Sequence, residues 1–149
     1  MTRAAASGQI PSVHIVAVGK TDVGQKRDHN EDNFLVDRKL ALYVVCDGMG
    51  GHAAGEVASL HAVRTVQRVI GENKPLLDEF SKRHDVGEVR ERVIQLLENA
   101  VNQACSEIYG MATADSGKAG MGTTLVMMIV VQGKGLMAHV GDSRLYMVR

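Results

Sequence analysis

The sequence predicts an α+β fold in which helices pack on antiparallel sheets. Three observations predict it. Apolar, β-branched runs cluster toward both ends of the 149-residue chain, two long amphipathic patterns occupy its middle, and no strand–helix–strand alternation joins them. The length suits one domain with a real core and is short for two.

Each element is read from its pattern. "VHIVAV" (13–18), bounded by Pro11 and Gly19, is expected to be a strand. "NFLVD" (33–37) and "ALYVVC" (41–46) read as two strands joined by a tight "RKL" connection. Apolar residues at Val57, Leu60, Val63, Val66, Val69 and Ile70 have helical spacing over Glu56 to Ile70, with Gly71 as C-cap and Asn73, Lys74 and Pro75 as a connection. Asp85 and Glu88 have capping-box spacing ahead of a longer stripe, from Val86 through Leu97 and Ala104 to Ile108, that Gly110 is expected to stop. "ATADSGKAG" (112–120) reads as a mobile loop. "TTLVMMIVV" (123–131), a "QGKG" turn and "LMAHV" (136–140) form a hairpin, and Leu145 to Val148 begin another strand. Residues 1–12 are expected to be a disordered tail, with the domain running over 13–149.

Composition narrows the function. Formal net charge is zero and no block of like charges occurs, so nothing points to nucleic acid or an anionic membrane. The N-terminal "MTRAAASGQIP" has no apolar stretch long enough for a signal peptide or a span. Two cysteines, Cys46 and Cys105, make no disulfide framework, and both read as small core residues. A soluble, cytoplasmic protein is expected.

The chemistry concentrates in "VVCDGMGGHAAGE" (44–56), where a strand runs into glycines with Asp47 at the junction. Gly48 to Ala53 match G-x-G-x-x-A, the glycine pattern of dinucleotide-binding turns. Against that reading, no second strand–helix–strand unit follows, and Asp47 would repel a pyrophosphate unless a cation lay between them. As a metal ligand, Asp47 sits rigidly at a strand end, and Gly48 leaves its carbonyl unshielded. Hard oxygen donors without a His or Cys cluster favour Mg²⁺ or Mn²⁺. Glu31 and Asp32 in "RDHNED", and Asp142 in "GDSR", also lie at strand ends and are candidate partners. Taken singly, such acids are commonly turn formers. Arg27 can clamp two phosphate oxygens, or pair with a neighbouring acid. Cys46 faces the opposite side of the strand from Asp47 and is a poor nucleophile candidate.

"TDVGQKRDHNED", "VVCDGMGGHAAGEVAS", "GMGTTLV" and "HVGDSRLY" together resemble consecutive motifs of the bacterial type of PP2C phosphatases, the PPM family of metal-dependent protein serine/threonine phosphatases. The resemblance implies an αββα sandwich, two antiparallel sheets flanked by helices, with a metal site at one edge. It implies that Asp47 bridges two Mn²⁺ or Mg²⁺ ions, that the Gly48 carbonyl binds one, and that Glu31 and Asp32 hold the metal shell largely through water. Arg27 would bind the substrate phosphate, and Asp142 would serve a third metal. The implied reaction is hydrolysis of phosphoserine or phosphothreonine in proteins, products of a serine/threonine kinase, by a metal-activated water. His52 is the candidate proton donor to the leaving group, or a cap of the helix that follows it.

The family's later "T-x-D-H", "S-D-G" and "D-N" segments, which carry further metal ligands, follow "GDSRLY" and have no counterpart before Arg149, so the sandwich is expected to be C-terminally incomplete. Weak metal binding, severely reduced hydrolysis and self-association through exposed sheet edges are the corresponding expectations. The alternative is a weak or inactive family member that binds phosphoproteins or regulates an intact phosphatase.

Overall fold

The computed structural model describes residues 14–50, 54–82 and 87–148. The tail at 1–12, Val13, His52, and the capping residue Asp85 with Val86 lie outside the described residues. Strands β1 (Asp32–Asp37) and β2 (Leu42–Met49) form the first hairpin. Helices α1 (Ala54–Glu72), α2 (Lys74–Lys82) and α3 (Gly87–Ala114) follow. A 3₁₀ turn (Ser116–Lys118), β3 (Gly122–Thr123), β4 (Leu125–Val131) and β5 (Lys134–Val140) complete the order. The antiparallel sheet runs β1-β2-β4-β5, with β3 pairing the end of β2.

Alternation along β2 decides which face of the sheet is covered. Leu42, Val44 and Cys46 are buried and join Met127 and Ile129 of β4 under α1 and α3. Val66 and Ala62 of α1, and Val93 and Ala100 of α3, meet them. The opposite face carries Phe34, Val45 and Met137, all exposed. The described residues thus form an antiparallel sheet with helices on one face, consistent with the expected α+β class. No helix among them is long and apolar enough to cross a membrane.

Both hairpins close by identifiable chemistry. Between β1 and β2 the Asp37 carboxylate accepts from the amides of Lys39 and Leu40 and from the Gln67 side chain of α1. Between β4 and β5, Gln132 and Gly133 have φ of 52° and 69°, the paired left-handed residues of a two-residue turn that matches strand twist.

Several sequence expectations are corrected. Residues 14–18 form no strand, and Val16 and Val18 are exposed. A β-branched run favours extended backbone, but a ladder needs a partner, and none pairs with it among the described residues. Leu145 to Val148 likewise form no strand and are exposed. Gly71 and Gly110 lie inside helices, where packing outweighs a glycine cost of about 1 kcal/mol. Met111 and Ala112, beyond Gly110, still pack on the core. Pro75 stands in the first turn of α2, where its missing N–H costs nothing, so the expected connection is a helix. The stretch 112–120 is ordered by Asp115, whose carboxylate accepts from the Gly117 amide and pairs with Lys118 at 2.9 Å.

Cys105 is exposed, unlike Cys46. It falls one position after the inward-facing Ala104 and lines an apolar cavity of about 400 Å³ between α3 and residues 119–123. Burial pushes the Cys46 thiol up to about 12.

Glu107 of α3 holds the two long helices together. Its carboxylate accepts from Thr65 (2.7 Å), Arg68 (2.9 Å) and Gln103 (3.1 Å), and lies 2.8 Å from His61 Nε2. These partners, Thr65 foremost and against the opposing effect of burial, hold the carboxyl below its ordinary value of 4.5. Its contribution is therefore complete above the ordinary carboxylate range and is lost as pH falls through the depressed folded value.

In native protein a thiol reagent should label Cys105 and spare Cys46 until unfolding; equal labelling of both would contradict the packing of β2. Glu107→Gln should lower stability by about 1 kcal/mol, a melting shift of about 3 °C. Melts repeated at falling pH should show that difference shrinking below about pH 4.

Candidate metal centre

Pairing of β1 with β2 builds the site. The register sets Asp32 opposite Asp47 and Phe34 opposite Val45, so both aspartates share the face away from the helices. Desolvation raises the pKa of Asp47, as do the charge of Asp32, a hydrogen bond with Asp32, and the charge of Asp142, while Arg27 opposes the shift. Asp32, Asp142 and Arg27 therefore all act electrostatically on Asp47.

Around this group, short polar residues fix the backbone. The Asn30 carbonyl oxygen of the side chain accepts from the Asp32 amide at 3.0 Å, and Asn30 Nδ2 donates to Thr21 at 2.7 Å. Thr21 in turn donates to Asp32 Oδ2 at 3.3 Å. On the other strand the Asp47 amide donates to Thr124 Oγ1 at 3.0 Å, and the Asp47 carbonyl accepts from the Thr124 amide at 2.9 Å and the Thr123 hydroxyl at 3.0 Å.

Glu31 occupies the helix side. Its carbonyl accepts from the Gly48 amide at 3.1 Å and from Ser59 Oγ at 2.5 Å. Ser59, fully buried in α1, also accepts from Asn33 Nδ2 at 2.9 Å. The Glu31 carboxylate rests against Gly55 in the first turn of α1, where the helix dipole favours an anion. A Cβ on Gly55 would lie 2.3 Å from Glu31 Oε1, and one on Gly48 would lie 2.1 Å from the Gly55 carbonyl oxygen. Glu31 Oε1 is buried without a hydrogen-bond partner. Oε2 lies 3.9 Å from the guanidinium of Arg27, whose side chain remains 70% exposed.

These donors fit a hard divalent cation in part. A cation would relieve the charge that Asp32 presses on Asp47, and the orphaned Glu31 oxygen is an unused acceptor. Among the described residues, no three His, Cys, Asp or Glu side chains gather closely enough to hold one ion. Mg²⁺ commonly takes one or two carboxylates and keeps several waters, so the Asp32–Asp47 pair is compatible with that ion.

Of the residues singled out in the sequence, Asp32 and Asp47 face each other across the ladder, Asp142 and Arg27 act electrostatically on Asp47, and Glu31 and Gly48 lie against Gly55 of α1. His139 is exposed on β5 and His29 is exposed beside Arg27. Thr123, Thr124, Ser59 and Ser143 carry no role in the sequence reading. All four stand inside the quoted motifs, but hydroxyl residues carry no sequence signal of a distant partner.

The protein phosphatase 2C family model matches residues 22–149. The serine/threonine phosphatase stp of Listeria innocua is 38% identical over 133 residues, covering 87% of this chain and 48% of that protein. The crystal structure of the Mycobacterium tuberculosis serine/threonine phosphatase PstP/Ppp is similar with a TM-score of 0.65 and 30% identity, over 84% of this chain and 46% of that one. A structure of the PstP catalytic domain in complex with two manganese ions has a TM-score of 0.64 and 31% identity, over 84% of this chain and 47% of that one. This chain spans about half the length of the relatives it matches. With the matched region taking in β1, β2 and the Asp142 turn, the chain belongs to the protein phosphatase 2C family.

Proposed function

We propose that this chain forms the acid- and arginine-bearing part of a protein serine/threonine phosphatase that hydrolyses phosphoserine and phosphothreonine with Mn²⁺ or Mg²⁺ as cofactor. The observation that carries the proposal is the placement of Asp32 opposite Asp47, within electrostatic reach of Asp142 and Arg27. Asp47 and Asp32 would hold metal with the Gly48 carbonyl, Glu31 and Asp142. When bound, such ions acidify a water so that it can attack near neutral pH, and they neutralise phosphoryl charge.

The chain's own residues do the rest. Arg27, largely in solvent and loosely paired, can turn its guanidinium to two phosphate oxygens. The threonine and asparagine bonds hold both aspartates in place before substrate arrives. No covalent phospho-cysteine is expected, because Cys46 is buried on the far face and its thiol is pushed up to about 12. His52 remains the proposed proton donor to the leaving oxygen. Kinase products as substrates, a cytoplasmic location and self-association through exposed sheet edges belong to the same proposal.

A second reading is favoured by one observation, the absence among the described residues of a ready-made group of three metal-binding side chains. In that reading the chain binds phosphoproteins, or regulates an intact phosphatase, with little or no turnover.

Hydrolysis of p-nitrophenyl phosphate should depend on added Mn²⁺, and Asp47→Asn should lower kcat/KM on the order of 100-fold or more. Activity that survives chelation, or that Asp47→Asn leaves intact, would refute the first reading. Phosphopeptide binding without turnover would support the second.

A further inference from the structure

Residues 141–148 leave β5 with no helix or strand, and of them Ser143 alone is not exposed. Among the described residues, one side-chain hydrogen bond ties this segment to another part of the molecule. It joins Ser143 Oγ to Thr124 Oγ1 at 2.6 Å. The same Thr124 oxygen accepts from the Asp47 amide at 3.0 Å. The Thr124 methyl group also fills the space beside Gly141, where a Cβ would lie 2.7 Å from it. Gly141 has φ of 99°, so the chain turns at that point in a conformation glycine adopts freely.

Thr124 stands at the break between β3 and β4 and so touches both acid-bearing segments. From these contacts we infer that Thr124 and Ser143 are positioning residues that transmit the location of Asp47 to Asp142 through a shared hydroxyl pair. The inference rests on the metal-binding reading above. Asp142 is exposed and on an irregular segment, so its carboxylate is useful to a cation only if the turn around it is held. The hydroxyl pair supplies that hold, and it supplies it from the strand break that also fixes the Asp47 amide. Groups that orient metal ligands in this way typically influence affinity by about 10–100-fold.

A double-mutant cycle on Mn²⁺ affinity tests the inference, with free Mn²⁺ followed by electron paramagnetic resonance in the purified protein. Ser143→Ala should weaken binding about tenfold, and Asp142→Asn by a similar factor, while the double variant should match Asp142→Asn alone. Thr124→Ser should stay within about twofold of wild type, and Thr124→Val should not. Effects of Ser143→Ala and Asp142→Asn that multiply in full would overturn the coupling. Hydrogen exchange gives a readout that needs no metal. Ser143→Ala should speed exchange at residues 141–143 and leave the Asp47 amide protected, because Thr124 Oγ1 remains. If wild type binds no Mn²⁺, the metal reading fails. Unchanged exchange at 141–143 in Ser143→Ala would then sink the hydroxyl link on its own.

Discussion

The close approach of α1 to the ends of β1 and β2 is the constraint on which the rest depends. Gly48 and Gly55 meet with no room for a side chain on either, and the Glu31 backbone lies against the same spot. Buried Ser59 locks the approach by donating to the Glu31 carbonyl while accepting from Asn33. Backbone atoms rather than side chains therefore set the distance between helix and sheet. Everything downstream inherits that distance: the apolar layer under α1, the seat of the Glu31 carboxylate, and the face to which Asp32 and Asp47 are left.

The two faces of the sheet consequently have different work. One is sealed by Val44, Cys46, Met127 and Ile129 under the helices and supplies the hydrophobic stabilisation. The other keeps its carboxylates in water, or near it, where they can meet a cation or a phosphate. Burying Asp32 and Asp47 opposite one another in the core would cost far more than their mutual repulsion does here. The division follows from the period of two along β2: shifting the register by one residue would bring Cys46 out and send Asp47 inward.

Much of this was legible in the amino-acid order, and the limits of legibility have physical causes. Alternation at Leu42, Val44 and Cys46 identifies a strand covered on one face, and acids at strand ends single out Asp32, Asp47 and Asp142 as candidates. Punctuation residues misled where packing overrode them. Gly71 and Gly110 resemble stops but sit in helices held by their neighbours, and Pro75 opens α2 instead of ending α1. The runs at 14–18 and 145–148 have strand composition, yet composition cannot supply a partner ladder, and none pairs with them among the described residues. Contacts between distant hydroxyls, such as Thr124 with Ser143, leave no trace in periodicity because neither residue must be apolar, charged or glycine.

The left-handed turn at Gln132 and Gly133 bears on how the molecule assembles in time. It joins strands adjacent in the chain, so β4 and β5 can zip together after closing a very short loop. Asp32 and Asp47 share such a shortcut within the first hairpin, but the link toward Asp142 has none: the bond from the Asp47 amide to Thr124 spans 77 positions, and both long helices must condense between them. Early hairpins would leave the link between Asp47 and the Asp142 segment among the last parts to form. Nascent polypeptide would then offer stray cations at most one facing pair of aspartates, and the fuller anionic seat would arise only once the whole topology had closed.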